Sequence, residues 1–233
     1  MRILSCALVA TMLVARPLPS LAISSFEAQY DISRGVVTVG LMSRRLTVDD
    51  DQRYRYESHM APRGIATLFA RDAVIETSSG RLEGTRFVPE HYSYDKGGAK
   101  KDFTLSFDYA SNTVHLGGQP RSWSADMPAN VLDKLVYQIQ LMLDLPAEPT
   151  TLEYAIADKG KLKVYRITNH GRETTDTGVG QLTTIKLQRG DDDSERRTTV
   201  WCAEELGWMP VKVEYRDEDG SVTVAVISSL QID

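Results

Sequence analysis

The chain has 233 residues, with 27 basic and 32 acidic side chains and a formal net charge of −5 at pH 7. Because nucleic acids and anionic headgroups are bound by clustered Lys and Arg, this mildly acidic balance makes neither an expected partner. The length fits one all-β domain with an ample hydrophobic core.

The first 22 residues have the layout of a secretory signal peptide. Arg2 precedes an apolar run over residues 3–15, and the small-x-small triplet Ser20-Leu21-Ala22 follows. The run is shorter than the roughly 20 apolar residues that a membrane anchor requires, and Arg16 ends it. We therefore predict a cleaved signal peptide over 1–22, export to the periplasm, and a single β-rich domain over 23–233 with no transmembrane span.

Alternation of apolar and polar residues predicts strands along most of the remaining chain. It begins with Phe26, Ala28, Tyr30 and Ile32, which are separated by polar residues. The same alternation returns in segments 37–41, 54–56, 103–109, 152–156, 185–187, 211–215 and 222–226. Turns rich in Asp, Lys and Gly follow many of these segments, at 49–51, 96–98, 158–160, 190–192 and 217–220. Strands joined by short turns predict an antiparallel meander.

One long segment has helical spacing instead. We predict an amphipathic helix over residues 126–145, capped by Asp126 or Asn130 and stopped by Pro146. Its apolar face holds Val131, Leu132, Leu135, Val136, Ile139, Met142 and Leu143, and its wet side holds Asp133, Lys134, Gln138 and Gln140. A shorter candidate helix covers residues 64–70, where Ile65, Leu68 and Phe69 share a face.

These elements predict a mainly β fold: a strongly curved antiparallel sheet, an open or half β-barrel, with one amphipathic helix over its concave face. Long strands twist, and a curling sheet needs an element that fills its hollow. The alternative is a sandwich with the helix outside.

Several segments together resemble an uncharacterised exported bacterial family, the domain of unknown function 3108 family. They are residues 26–30, residues 92–94 with 97–101, the predicted helix, and residues 171–174. The resemblance spans most of the chain after the signal. It implies no established activity.

The closing segments also resemble periplasmic lipoprotein carriers of the LolA/LolB type. This likeness rests on residues 200–201, Gly207, residues 210–211 and residues 219–220. It implies an unclosed barrel, lipoprotein-carrier-like, in which helices lie across an apolar cavity for acyl chains or similar ligands. Fold likeness alone is an associational argument for function.

The helix faces supply the candidate ligand-binding residues. The predicted cavity wall consists of Trp123, Leu132, Leu135, Val136, Ile139, Leu143, Ile65, Leu68 and Phe69. The alternative is that the same side chains simply fill the core, since protein interiors are normally close-packed.

No catalytic or metal-binding motif stands out. The chain has no Gly-x-Ser-x-Gly elbow, phosphate loop, His-Glu-x-x-His pair or Cys-x-x-Cys pair, so we predict no enzyme activity, no cofactor and no metal site. The acidic runs 49–51 and 191–193 lack a calcium-loop pattern and are interpreted as solvated turns. Cys202 alternates with Thr198 and Val200, which favours a buried core residue over a reactive thiol.

Two functions remain open. The first is a non-enzymatic periplasmic protein that binds an apolar ligand or a lipidated partner, such as a lipid, an acyl chain or a lipoprotein. The second is an envelope scaffold or assembly factor that contacts another envelope protein and has a packed interior.

Overall fold

A computed structural model describes residues 23–68, 72–98, 102–118, 123–190 and 196–233. These residues form one fifteen-stranded sheet and one short α-helix. The strands are β1 Phe26–Arg34, β2 Val37–Val48, β3 Arg53–Pro62, β4 Val74–Glu83, β5 Arg86–Asp95, β6 Phe103–Asp108, β7 Thr113–Gly117, β8 Trp123–Asp126, β9 Leu132–Asp133, β10 Thr151–Asp158, β11 Lys161–Thr177, β12 Gly180–Gly190, β13 Arg197–Ala203, β14 Met209–Arg216 and β15 Val222–Ile232. The α-helix α1 is Tyr137–Asp144, and 3₁₀ helices cover Gly64–Leu68, Leu145–Ala147 and Glu204–Leu206.

The sheet is a meander in which nearly every strand pairs with its neighbours along the chain. Its order is β8-β7-β6-β5-β4-β3-β2-β1-β15-β14-β13-β12-β11-β10-β9, and only β9 and β10 run parallel. The first and last strands pair at the middle of the sheet, with Phe26 opposite Ile232. The predicted mainly β, antiparallel fold is confirmed.

The alternation in β1 shows why these residues form strands. Phe26, Ala28, Tyr30 and Ile32 are buried on the concave face, and the residues between them are more exposed. Register shifts interrupt the pairing of β1 with both of its neighbours. Such bulges bend strands and increase their twist, which helps the sheet curl around its apolar face.

The curled sheet stays open because its two ends do not pair. The β9 end lies inside the curve, where the Ser78 hydroxyl of β4 donates to Asp133 Oδ2 of β9 at 2.6 Å. The turn between β10 and β11 approaches β7, near the other end of the sheet. Gly160 of this turn lies so close that a Cβ atom built on it would be 3.3 Å from the Leu116 side chain of β7. The result is an open half-barrel, as predicted.

The predicted helix over 126–145 is too long. Residues 123–126 pair with β7 as a strand, Asn130 has a left-handed φ of 58°, and the helix begins only at Tyr137. A left-handed residue interrupts an α-helix, and the apolar side chains before Tyr137 are buried by turn and strand geometry instead. Residues 64–68 form a 3₁₀ helix, whereas residues 69–71 lie outside the described part.

The predicted wet side of the helix is wrong at two positions. Asp133 and Gln140 are only 0% and 4% exposed. The Gln140 side chain accepts a bond from the Phe87 amide and donates to the Thr85 carbonyl, both at 2.9 Å, and thereby ties α1 to the β4–β5 hairpin. These polar side chains are buried because they satisfy backbone groups inside the fold.

Candidate functional site

The centre of the helix face is closed. Leu135, Val136 and Ile139 are 2%, 0% and 0% exposed and belong to the main hydrophobic core together with the inward residues of the sheet. A ligand could enter here only by displacing packed side chains. The space between the middle of α1 and the sheet is therefore filled.

The other predicted cavity-wall residues are dispersed. Leu132 is buried beside a cleft of about 350 Å³ at the β4–β5 and β10 seam, and Trp123 is half-buried on β8. Leu68 is 73% exposed. The Ile65 side chain and Phe69 lie outside what the structure describes.

Leu143 is the predicted residue that reaches an open apolar cleft. This apolar cleft has a volume of about 210 Å³ and lies where the end of α1 meets β1, β14, β15 and the turn after β13. It is lined by Ile23, Ser24, Phe26, Met142, Leu143, Glu205, Leu206, Gly207, Met209 and Ile232. Gly207 has a left-handed φ of 64°, which shapes the tight turn that presents Leu206 to the cleft.

A buried carboxylate holds the chain entering α1. Asp133 Oδ1 accepts hydrogen bonds from the Leu135 and Val136 amides, each at 2.8 Å. Its other oxygen accepts the Ser78 hydroxyl, which is 2.9 Å from the Tyr54 hydroxyl. Burial raises the pKa of Asp133 to about 6, although the hydrogen bonds from Ser78, Val136 and Leu135 act to lower it.

A buried guanidinium lies on the concave face of β2. Arg44 is 6% exposed; its Nη1 donates to the Tyr56 hydroxyl at 3.3 Å, and its Cζ lies 5.6 Å from the Tyr30 ring centroid. Its Nε has no acceptor among the described residues. Burial acts to lower the pKa of Arg44, but interactions with Tyr56 and Tyr30 make the net shift upward. The side chain is therefore a buried charge whose favourable interactions outweigh the effect of burial on its pKa, although one of its nitrogens has no acceptor among the described residues.

One large cleft is polar. This polar cleft has a volume of about 550 Å³ and opens on the concave side, beyond the part of the sheet that α1 covers. It is lined by Lys134, Asp158, Lys163, Tyr165, Arg189, Gly190, Arg196, Thr198 and Tyr215. The register explains this grouping, since Thr198 pairs with Arg189 on one side and with Tyr215 on the other.

Each cation at the polar cleft has a defined contact. Lys163 Nζ lies 3.4 Å from Asp158 Oδ2, and Lys134 Nζ lies 3.1 Å from Glu76 Oε2. Arg196 Nε lies 3.2 Å from Asp217 Oδ1 and 3.4 Å from Glu218 Oε1. Arg189 Nη2 donates to the Thr198 hydroxyl at 3.1 Å, and its Cζ lies 4.0 Å from the Tyr165 ring centroid. These contacts fix the positions of the positive groups.

The remaining titratable residues assemble no metal-ligand cluster in the part of the chain that is described. No group of three or more metal-ligating side chains occurs there. Cys202 is buried, and burial raises the pKa of its thiol, so its prediction as a core residue is confirmed. The acidic run 49–51 lies in an exposed hairpin turn, as predicted, and the run 191–193 lies outside the described residues.

Sequence reasoning missed the polar features of the concave face. One signal was available for Arg44, because it occupies an inward position of β2 between the buried Met42 and Leu46. No comparable signal existed for Lys163 and Arg189. They become neighbours across the cleft only through the curl and pairing of the sheet.

The profile of the protein family of unknown function DUF3108 matches residues 29–226. The chain belongs to the DUF3108 family. The predicted membership is thereby confirmed. No curated protein sequence matches this DUF3108 chain significantly.

Solved structures support the fold. A β-barrel-like protein of the domain of unknown function DUF1849 from Brucella abortus aligns with 91% of this chain and 98% of its own, with a TM-score of 0.61 and 10% identity. At this identity the likeness shows the fold alone.

Two further structures align with much lower scores. A candidate lipoprotein from Parabacteroides distasonis has a TM-score of 0.32 and 12% identity, covering 90% of this chain and 96% of its own. A candidate outer membrane lipoprotein-sorting protein domain from Vibrio parahaemolyticus has a TM-score of 0.28 and 11% identity, covering 90% and 86%. These scores are too low to support a statement about shared function.

No helix among the described residues is long and apolar enough to cross a bilayer.

Proposed function

We propose that this DUF3108 protein is a non-enzymatic periplasmic protein that binds the acyl chain of a lipid or of a lipidated partner. The observation that carries the proposal is the apolar cleft at the end of α1. The signal-peptide pattern of residues 1–22 supports the periplasmic location.

The cleft suits one end of an aliphatic chain. Its volume of about 210 Å³ is below the roughly 300–1,000 Å³ of pockets that enclose a whole small molecule. Its wall is mainly Leu, Ile, Met and Phe, and its polar side chains, Ser24 and Glu205, can remain in contact with water at the rim. The cleft is therefore suited to the end of an acyl chain and is too small for a whole lipid.

The absence of assembled catalytic groups near the cleft favours binding over catalysis. Among the described residues, Glu205 is the one titratable residue that lines it, and no histidine, cysteine or lysine of this part of the chain lines it with Glu205. General acid–base or nucleophilic catalysis needs such a partner within hydrogen-bond reach. Reversible binding needs only apolar area.

A chain-length series tests this proposal. Each methylene that becomes buried contributes about 0.8 kcal/mol, which corresponds to about a fourfold gain in affinity. With saturated fatty acids of increasing length, calorimetric affinity should rise by this factor per carbon and level off once the chain fills the apolar cleft. An affinity independent of chain length would refute the proposal.

A matched pair of variants locates the binding. Leu206→Glu places a charge in the apolar cleft, whereas Leu68→Glu makes the same change at a side chain that is 73% exposed. We expect the first variant to lose the chain-length dependence and the second to keep it. Lipid extraction and mass spectrometry of protein purified from the envelope should identify the natural chain.

A second function is favoured by the filled interior beneath α1. Because Leu135, Val136 and Ile139 leave no room there, an envelope scaffold that acts through its surface also fits this fold. Crosslinking in cells followed by purification distinguishes the two. A stoichiometric protein partner that is retained by Leu206→Glu would favour the scaffold.

A further inference from the structure

We propose that the apolar cleft selects amphiphiles whose head group carries a positive charge, as in a lipid with an ammonium head group. This inference rests on the proposed acyl-chain function and names the class of head group that the same cleft accepts. It is carried by the carboxylates around the mouth of the cleft, which outnumber the cations there in the described part of the chain.

Glu205 is the carboxylate that reaches the cleft itself. It is exposed, belongs to the 3₁₀ helix Glu204–Leu206 and lines the cleft together with Leu206. The Thr183 amide donates a hydrogen bond to Glu205 Oε1 at 3.1 Å, which holds the carboxylate in place. Among the described residues, no cation forms an ion pair with Glu205. Its charge is therefore available to a ligand.

Asp233 places a second carboxylate next to the cleft. It follows Ile232, which lines the cleft and is 52% exposed. The Asp233 amide donates to the Ser25 carbonyl at 3.1 Å, and Ser25 follows the lining residue Ser24. Asp233 forms no ion pair with any residue that the structure describes. The backbone thus fixes a second unpaired charge at the mouth.

Two arginines near these carboxylates are already paired. Arg172 contacts Glu148 and also Glu204, the latter at 3.5 Å, so one guanidinium serves two carboxylates. Arg45 lies in the field of the second carboxylate, but its Nη2 is 2.5 Å from Glu27 Oε2. Five carboxylates therefore share two guanidinium groups around the mouth.

Removal of the predicted signal peptide would add one cation to this balance. Cleavage after Ala22 makes Ile23 the first residue, and Ile23 lines the cleft. Its α-amino group would be mostly protonated at pH 7 and would offset one carboxylate. The mouth of the processed protein would still keep a surplus of negative charge.

Head-group charge and chain length affect different parts of the affinity. The apolar wall stabilises each buried methylene whatever the head group is. The carboxylates attract a cation and repel an anion at the water-exposed mouth. Because exposed ion pairs are weak and are screened by salt, we expect opposite head groups to differ by about tenfold in affinity at low ionic strength.

Three amphiphiles with the same ten-carbon chain test this preference by calorimetry below their micelle concentrations: decyltrimethylammonium, decyl maltoside and decanoate. We expect binding to weaken in that order, by about tenfold from first to last, and the three affinities to converge at high salt. Equal affinities of the cation and the anion, with affinity still rising with chain length, would overturn this inference and leave the acyl-chain function standing. No binding of any of the three would overturn both.

A matched pair of substitutions locates the preference. Glu205→Gln removes one charge, keeps an oxygen for the Thr183 amide and should reduce the ratio of cation to anion affinity by about threefold. Glu218→Gln makes the same change in the turn at the other end of β15, about 35 Å away along the strand and several Debye lengths from the cleft. This control should keep the ratio. An equal change in both variants, or a loss of decyl maltoside binding in Glu205→Gln, would contradict a role for the charge of Glu205.

Natural head groups extend the test. Lysophosphatidylethanolamine and lysophosphatidylglycerol of equal chain length both carry a phosphate, but only the first has an ammonium group. We expect the first to bind more tightly and its advantage to shrink in Glu205→Gln. Tighter binding of lysophosphatidylglycerol would overturn the proposed preference.

Discussion

Replacing Asp133 by Asn tests the buried carboxylate at the entrance to α1. The carboxylate is fully buried, and its pKa is raised from the ordinary value of 3.8 to about 6. The native state therefore binds a proton more tightly than the unfolded chain does. Below about pH 4, the Asp133 carboxyl does not lower the free energy of unfolding. As the pH rises to about 6 it lowers this free energy progressively, and above that pH the loss is complete.

The size of this cost follows from the shift. About two pKa units at 1.36 kcal/mol each correspond to roughly 3 kcal/mol of native stability lost between pH 4 and pH 6.5. Asn can still accept the Leu135 and Val136 amides and can donate to Ser78, so it keeps the hydrogen bonds without the charge. We expect Asp133→Asn to be about 1–3 kcal/mol more stable than the wild type at pH 7.5, with nearly equal stability at pH 4.

Urea unfolding followed by tryptophan fluorescence from pH 4 to pH 8 measures this difference. Subtracting the two curves cancels the carboxylates that do not interact with Asp133, and the difference that remains belongs to Asp133 and its interaction with Glu76. Asp219→Asn is the control of opposite sign, because a hydrogen bond from Ser221 lowers the pKa of Asp219. A difference between wild type and Asp133→Asn that does not change with pH would refute the reasoning.

Two further substitutions test the packing of the concave side. Arg44→Met removes a buried charge together with its hydrogen bond to Tyr56 and its contact with the Tyr30 ring, and we expect a decrease of about 1 kcal/mol or more in the free energy of unfolding, measured in urea; an increase would show that the cost of burying the charge outweighs these contacts. Ile139→Ala should cost about 2–5 kcal/mol because the side chain is fully buried, while Leu143→Ala at the open apolar cleft should cost about 1 kcal/mol, and equal costs would contradict a filled interior.

Local alternation of apolar and polar residues was sufficient to predict the strands. In β1 the buried residues are the apolar ones of the alternation, and the Asp- and Gly-rich segments at 158–160 and 217–220 form turns. The helix was predicted less well. Apolar residues at helical spacing before Tyr137 are also buried by a strand and a turn, so the period alone could not locate the start of α1.

Contacts between residues that are distant in sequence determined which polar side chains are buried. Asp133 and Gln140 look like solvent-facing helix residues in the sequence, but contacts with Ser78 and the β4–β5 hairpin bury them. Sequence separation hides such partners, since nothing local to Asp133 indicates that β4 will lie against it. The same limitation applies to the apolar cleft, which joins both ends of the described chain.

The sequence by itself determined the class of this protein: alternating strands, short turns, one amphipathic helix and membership of the DUF3108 family. The tertiary structure decided where charge and apolar surface meet solvent. Register brings Lys163 and Arg189 to one cleft, and the curl of the sheet leaves a second, apolar cleft beside Leu143. The physical reason is that strand formation depends on neighbouring residues, whereas a cleft depends on which distant strands the curved sheet brings together.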